Sequence, residues 1–302
     1  MHDDSNSKEE WLSLTSSCPC CGSEKFKTIP AVFSPFFASR ALDIEPMRIT
    51  KGQYQDLEAG VSYFPTKTLF CTNCESVSCG HRLGNTPMAK YYKGYQSKEF
   101  LAQRMSMEPS FGFRMRDRSS PNTLRARGEE TSYGDEIDEY LLNMLPALPQ
   151  RALDFGGGTG SNSPLKRLIP VDVYDIDEEV QPPLSDSTHW PLISIMNVLE
   201  HVTSPINLLR RASKLLSNNQ SHILVEVPLE GFMRGQKGSS TFWQKKTIWT
   251  EHLNCFTPLG LEICFREAGL KLITPVTVRE FWSDPSDCRE SGAVLLAVGC
   301  PI

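Results

Sequence analysis

Three groups of residues in this chain have types and spacings that could do chemistry. Cys18 and Cys21 form one C-x2-C pair, and Cys71 and Cys74 form a second. A tight turn presents two sulfurs to one ion, so two such pairs predict a tetrahedral thiolate site suited to Zn²⁺. Four protein ligands would make that site closed and structural. Cys20, Cys79 and His81 stand near enough in sequence to replace one of the four.

The second group is the run Ala152-Leu153-Asp154-Phe155-Gly156-Gly157-Gly158-Thr159-Gly160. Gly156, Gly158 and Gly160 follow a short apolar run, where a turn must be tight and the backbone must lie close to a ligand. The dinucleotide register G-x-G-x-x-G fails, because Ser161 occupies its last position, and the lysine of a phosphate-binding P-loop is missing. Asp175 ends the next apolar run. A carboxylate there can accept both ribose hydroxyls of an adenosine ligand.

The third group is a pair of Glu-His dipeptides, Glu200-His201 and Glu251-His252. His201 and His252 are candidate general bases, and each is preceded by a glutamate that could orient its imidazole or raise its basicity. Tyr91, Tyr92 and Tyr95 recur at short spacing and could close over a site.

These groups must be positioned by a chain of 302 residues, which is long enough for two domains. Residues 1–85 hold the two cysteine pairs among frequent prolines and read as a small, loop-rich zinc-binding module. Residues 86–145 read as a helical connector or cap, with helices over 97–107, ended by Pro109, and over 132–145, capped by Ser132 and stopped by Pro146. Residues 146–302 alternate apolar runs at 151–155, 171–174, 192–196, 222–227 and 292–299 with helical patterns at 205–216 and 259–269. That alternation predicts an α/β, Rossmann-like, mostly parallel sheet covered on both faces.

The formal net charge of −5 weighs against nucleic acid as the partner, although Arg114, Arg116, Arg118, Arg125 and Arg127 form a local basic patch. No apolar stretch approaches the length of a membrane span, and the polar, acidic start lacks the pattern of a secretory signal. The expectation is a cytoplasmic protein whose ten cysteines are thiols or metal ligands.

The glycine run resembles motif I of the class I S-adenosylmethionine-dependent methyltransferases. Asn197-Val198-Leu199-Glu200-His201-Val202 resembles the segment after their fourth strand, Ile223–Pro228 their fifth strand, and Glu251-His252-Leu253-Asn254-Cys255-Phe256 a segment near their C-terminus. The resemblance implies a seven-stranded sheet and S-adenosyl-L-methionine as cofactor. It places Asp154, Gly156 and Gly158 at the methionine end, Asp175 at the ribose and Asp186 at the adenine, with Gly160 and Asn197 also in the cofactor set. Only residues 176–191 separate Asp175 from the strand at Leu192, so the second helix and third strand of the pattern must be shortened or missing.

A cysteine-rich module, a Tyr-rich connector and a late Glu-His segment together resemble the sugar C-methyltransferases. That likeness implies that His252 with Glu251 removes a proton beside a keto group; Trp249 stands where those enzymes usually carry tyrosine. The acceptor implied is a small molecule, nucleotide sugar or glycan, methylated on carbon or oxygen. Two other readings stay open: an RNA methyltransferase whose zinc module grips the substrate, and a non-catalytic protein that binds an adenosyl ligand.

Overall fold

The structure, a computed structural model, describes residues 12–44, 64–95, 97–108, 133–158, 160, 163–175, 188–234, 241–281 and 292–302. The basic patch at 114–127, Ser132 and Asp186 lie outside them. The N-terminal part runs β1 (Leu12–Leu14), β2 (Phe26–Phe33), α1 (Pro35–Leu42), β3 (Phe64–Cys71), β4 (Val77–Cys79), β5 (His81–Leu83), α2 (Asn85–Tyr92) and α3 (Lys98–Met107). Ser34 and Ser97 cap α1 and α3 by accepting from the backbone N–H groups of Phe37 and Phe100.

The remainder runs α4 (Tyr133–Met144), β6 (Ala152–Phe155), β7 (Val171–Tyr174), β8 (Leu192–Met196), α5 (Pro205–Lys214), β9 (His222–Pro228), β10 (Ile248–Trp249), β11 (Asn254–Cys255), α6 (Pro258–Glu267), β12 (Leu270–Leu272), β13 (Thr277–Phe281) and β14 (Gly292–Pro301). Seven of these strands form the larger sheet. Its order is β12-β14-β9-β8-β6-β7, with β13 also pairing β14.

The sequence predicts a mostly parallel sheet, and the structure corrects this to a mixed one. β7, β6, β8 and β9 run parallel, whereas β14 is antiparallel to β9, β12 and β13. Parallel neighbours need a crossover such as α5 between β8 and β9; the last strands pair without one. β6 lies between β7 and β8, so chain connections leave it in opposite directions. The carboxyl end of β6 is therefore the switch point where such sheets bind ligands. Among the described residues β7 pairs only with β6, and most of the stretch between Asp175 and β8 lies outside them.

The sheet is sealed on both faces. Ile137 and Leu141 of α4 pack with Leu192, Leu224 and Leu296 on one side. On the other, Leu209 and Ala212 of α5 and Leu261 and Phe265 of α6 pack with Leu153, Ile193 and Val225. These residues are nearly all fully buried, each worth about 1.5–3 kcal/mol for a large aliphatic side chain.

The cysteine-rich region was expected to be loop-rich. Its β2, β3 and β4 instead form the middle of a five-stranded sheet in the order β10-β2-β3-β4-β11. Pro30 and Pro65 obscure its two long strands in the sequence. Each falls where its strand has one neighbour only: β10 meets β2 at Val32 and Phe33, and β4 meets β3 at Thr68 to Phe70. A missing N–H costs little at such a place.

Residues 248–255 reach both edges of this sheet, as β10 beside β2 and β11 beside β4. Thr250 to Leu253 bridge the two edges. An aromatic core of Phe33, Phe36, Phe37, Tyr91, Phe100 and Trp249 lies beneath, drawing on α1, α2 and α3. Among the described residues, no helix is long and apolar enough to cross a membrane.

Candidate functional site

The four parallel strands deliver their carboxyl ends to one place. β6 leads into the glycine loop, β7 into Asp175, β8 into Asn197–His201, and β9 into Glu230. Asp154, at the penultimate position of β6, is buried, and its carboxylate accepts from Ser163 Oγ at 2.6 Å and Ser194 Oγ at 2.9 Å. Burial raises its pKa and the two hydroxyls pull it down, with the net direction upward. It ties the loop to the strands beneath.

Gly156 has φ +85° and Gly158 φ +54°, backbone conformations that L side chains rarely adopt. A methyl group on Gly156 would overlap Val198, so this residue is pressed against the chain after β8. Gly158 is different. Among the described residues a Cβ there would meet nothing nearer than Asp175 Oδ2 at 3.9 Å, which leaves its outer side clear of them, and its N–H donates to that oxygen at 2.8 Å. Gly160 closes the turn by donating to the Gly157 carbonyl at 2.9 Å. An open glycine backbone beside a carboxylate, on adjacent strands, suits a ligand that carries a ribose.

Asn197 sits at φ +54°, and its Nδ2 donates to Glu226 Oε1 at 2.7 Å. Glu226 is 1% exposed, and burial pushes its pKa up to about 8. Sequence reasoning missed Glu226, whose place inside an apolar strand was the available signal.

The structure brings His201 and His252 together, with ring centroids 4.7 Å apart. The glutamates beside them in sequence do not share one role. Glu251 forms a two-pronged ion pair with Arg104, at 2.9 and 3.1 Å, and that charge outweighs burial to hold its pKa near 2. Glu251 thus faces α3, while its neighbour His252 faces Glu230 at the end of β9. The carboxylate on His252 is therefore Glu230, 2.7 Å from Nδ1, and not Glu251 as the sequence suggested.

Burial draws His252 toward the neutral form, but the Glu230 hydrogen bond and charge outweigh it and its pKa is raised. Glu230 is correspondingly held near 2 against its own burial. His201 is pulled down to about 3 by burial and by His252, and its Nδ1 lies 3.1 Å from the Glu251 carbonyl. Glu200 is 1% exposed; among the described residues neither of its oxygens has a hydrogen-bond partner, His201 Nε2 standing off at 3.5 Å, and burial lifts its pKa to about 7. The Tyr92 ring stands edge-on to His201 at 5.6 Å, so the tyrosine cluster does reach this group.

On the far side of α6 the sulfurs of Cys18, Cys21, Cys71 and Cys74 lie within 4.8 Å of one another. Cys18 and Cys74 are 3.5 Å apart, as are Cys21 and Cys71. Tetrahedral Zn–S bonds of about 2.3 Å would set the sulfurs about 3.8 Å apart, so the cage fits the ion. The Cys74 thiol is pushed up by the neighbouring Cys18 and then by burial, a crowding that a cation relieves. Cys79 and His81 turn to Thr66 instead, and Cys20 is buried beside the cluster. The knuckle is docked on the start of α6, where Thr257 Oγ1 donates to the Cys74 carbonyl at 2.9 Å.

A cleft of about 480 Å³ opens at the opposite, amino end of the parallel strands, lined by residues such as Pro149, Arg151, His189 and His222. None of the candidate residues borders it.

Residues 126–274 match a family model described as a methyltransferase domain. No protein of curated function matches the chain. Similar solved structures include the plantazolicin methyltransferase BpumL in complex with SAH, 12% identical over 71% of this chain and 95% of that one, with a TM-score of 0.40. Another is the [4+2]-cyclase SpnF, 13% identical over 56% of this chain and 81% of that one, TM-score 0.37. A third is the N-terminal domain of EvdMO1 with SAH bound, 13% identical over 58% and 84%, TM-score 0.36. Within the matched residues fall the glycine loop, Asp175, Glu200, His201 and His252.

Proposed function

We propose that the chain is an S-adenosyl-L-methionine-dependent methyltransferase acting on a small-molecule, nucleotide-sugar or glycan acceptor. The observation that carries this reading is the Gly158 backbone, open among the described residues and hydrogen-bonded to the Asp175 carboxylate, at the switch point of a sheet within the residues that match a methyltransferase family model. When bound, the cofactor supplies an electrophilic methyl group on a sulfonium. Gly156, Gly158 and Gly160 would line its methionine end, with Asp154 holding the loop from beneath through Ser163 and Ser194 rather than touching the ligand. Asp175 would take the ribose hydroxyls and Asp186 the adenine, with Asn197 at the same rim.

The chain's own residues then have three tasks. The loop and Asp175 orient the cofactor, which supplies much of the rate in a reaction that chiefly needs alignment. His201 and His252 activate the acceptor, which loses its proton at the carboxylate–imidazole cluster. Glu251 is a positioning residue: its ion pair with Arg104 fixes the bridge that carries His252. The cysteine cage would hold a structural Zn²⁺ and anchor the small sheet against α6.

Incubation with methyl-labelled S-adenosylmethionine and fractionated extract tests the activity. Label in a small molecule, nucleotide sugar or glycan is the expected result; label in RNA or protein, or in nothing, would overturn the acceptor class.

A further inference from the structure

We propose that Glu200, His201 and His252 form a second metal site, distinct from the cysteine cage, that takes a hard or borderline divalent cation such as Mn²⁺ or Fe²⁺ beside the cofactor loop. One ligand atom from each residue lies within 4.8 Å of the other two. His201 Nε2 and Glu200 Oε1 are 3.5 Å apart, close to the roughly 3–3.5 Å between ligands sharing an ion at about 2.1 Å.

Two features separate this group from an ordinary buried cluster. The Nδ1 atoms of both imidazoles are already engaged, His252 with the Glu230 carboxylate and His201 with the Glu251 carbonyl. Each ring has Nε2 left to offer. Metal-ligating histidines are held this way, with the second nitrogen on a carboxylate or backbone carbonyl. The other feature is Glu200. Its side chain is 1% exposed, and among the described residues both oxygens lack a hydrogen-bond partner next to the two rings. A carboxylate desolvated without a partner costs several kcal/mol, which a shared cation offsets.

Two imidazoles and one carboxylate leave coordination positions open. The His252 side, 30% exposed, is the side from which an acceptor could reach them. This deepens the methyltransferase reading and rests on it: the imidazoles would act on the acceptor through the ion. It also narrows the acceptor to one presenting a hydroxyl or enol oxygen, whose pKa a cation lowers.

The test is Mn²⁺ binding to the full-length chain, followed by electron paramagnetic resonance. Four thiolates are a poor match for Mn²⁺, so the cysteine cage does not confuse the count. The expected result is one Mn²⁺ per chain with nitrogen modulation from imidazole, weakened at least tenfold in Glu200→Gln. Glu230→Gln, which leaves all three ligands in place, should weaken binding roughly 10–100-fold. No binding at millimolar Mn²⁺, binding without nitrogen modulation, or equal affinity in Glu200→Gln would overturn the site. Calorimetry with S-adenosylmethionine on the same samples separates the two ideas. Cofactor binding without Mn²⁺ binding defeats this inference alone, whereas Mn²⁺ binding without cofactor binding defeats the methyltransferase reading.

Discussion

Replacing Asp175 should weaken cofactor binding and, through the lost Gly158 bond, the ligand-free fold as well. The carboxylate lies at the end of β7, half-buried, and accepts the Gly158 N–H at 2.8 Å. In the proposed complex it accepts from two ribose hydroxyls. A hydrogen bond to a charged group contributes about 1.5–3 kcal/mol, and about 1.4 kcal/mol is tenfold in affinity. Asp175→Ala loses both bonds, so after allowing for non-additivity the dissociation constant should rise about 100-fold. Asp175→Asn keeps one acceptor oxygen and should lose about tenfold. Titration calorimetry with S-adenosylhomocysteine measures both, and a urea melt of each ligand-free variant measures what the lost Gly158 bond costs the fold, about 1.5–3 kcal/mol in Asp175→Ala. Unchanged affinity in Asp175→Ala would refute the argument, as would an equal loss from both variants.

Three further expectations follow from particular residues. Gly156→Ala combines a left-handed backbone with overlap on Val198 and should cost about 2–4 kcal/mol in a urea melt, whereas Gly158→Ala should cost about 1–2 kcal/mol yet impair cofactor binding more. Elemental analysis should find about one zinc per chain, and Cys71→Ser should remove it and lower the melting temperature, because metal binding is part of folding in such modules. Glu226 titrates near 8 in the fold against an ordinary value of 4.5, so the native state holds its proton longer than the unfolded chain. Its contribution to stability is full below about pH 4.5 and falls as pH rises toward 8. Each pH unit is worth about 1.4 kcal/mol, less what a neutral amide still costs when buried, so Glu226→Gln should stabilise by about 2 kcal/mol at pH 8 and by nothing near pH 4. Urea melts across that range check the slope.

Much of the larger sheet was legible because its strands are short apolar runs bounded by glycine, aspartate or proline. The expected and observed strands at Ala152–Phe155, Val171–Tyr174 and Leu192–Met196 coincide within a residue. The cysteine pairs were legible because their spacing is local, and the structure brings their four sulfurs together. The small sheet was not, because prolines that usually mark loops sit in β2 and β3 where one neighbour is absent. Strand direction was missed for a related reason: apolar content shows that β14 is buried but not which way it runs.

The partners of the two histidines were hidden by chain distance. Glu251 is adjacent to His252 in sequence, yet it pairs with Arg104, 147 positions away, while His252 takes Glu230 from the end of β9. Only the bridge at 250–253, spanning the two edges of the small sheet, brings these groups into one place. No local pattern encodes that geometry.

Photo-crosslinking with labelled S-adenosylmethionine, followed by peptide mapping, tests the central claim most directly. The account predicts label in the peptides around Asp154–Asp175 and Asn197–His201, lost when excess S-adenosylhomocysteine is added. Label in the cleft around Arg151, His189 and His222, or label that the competitor does not displace, would contradict it.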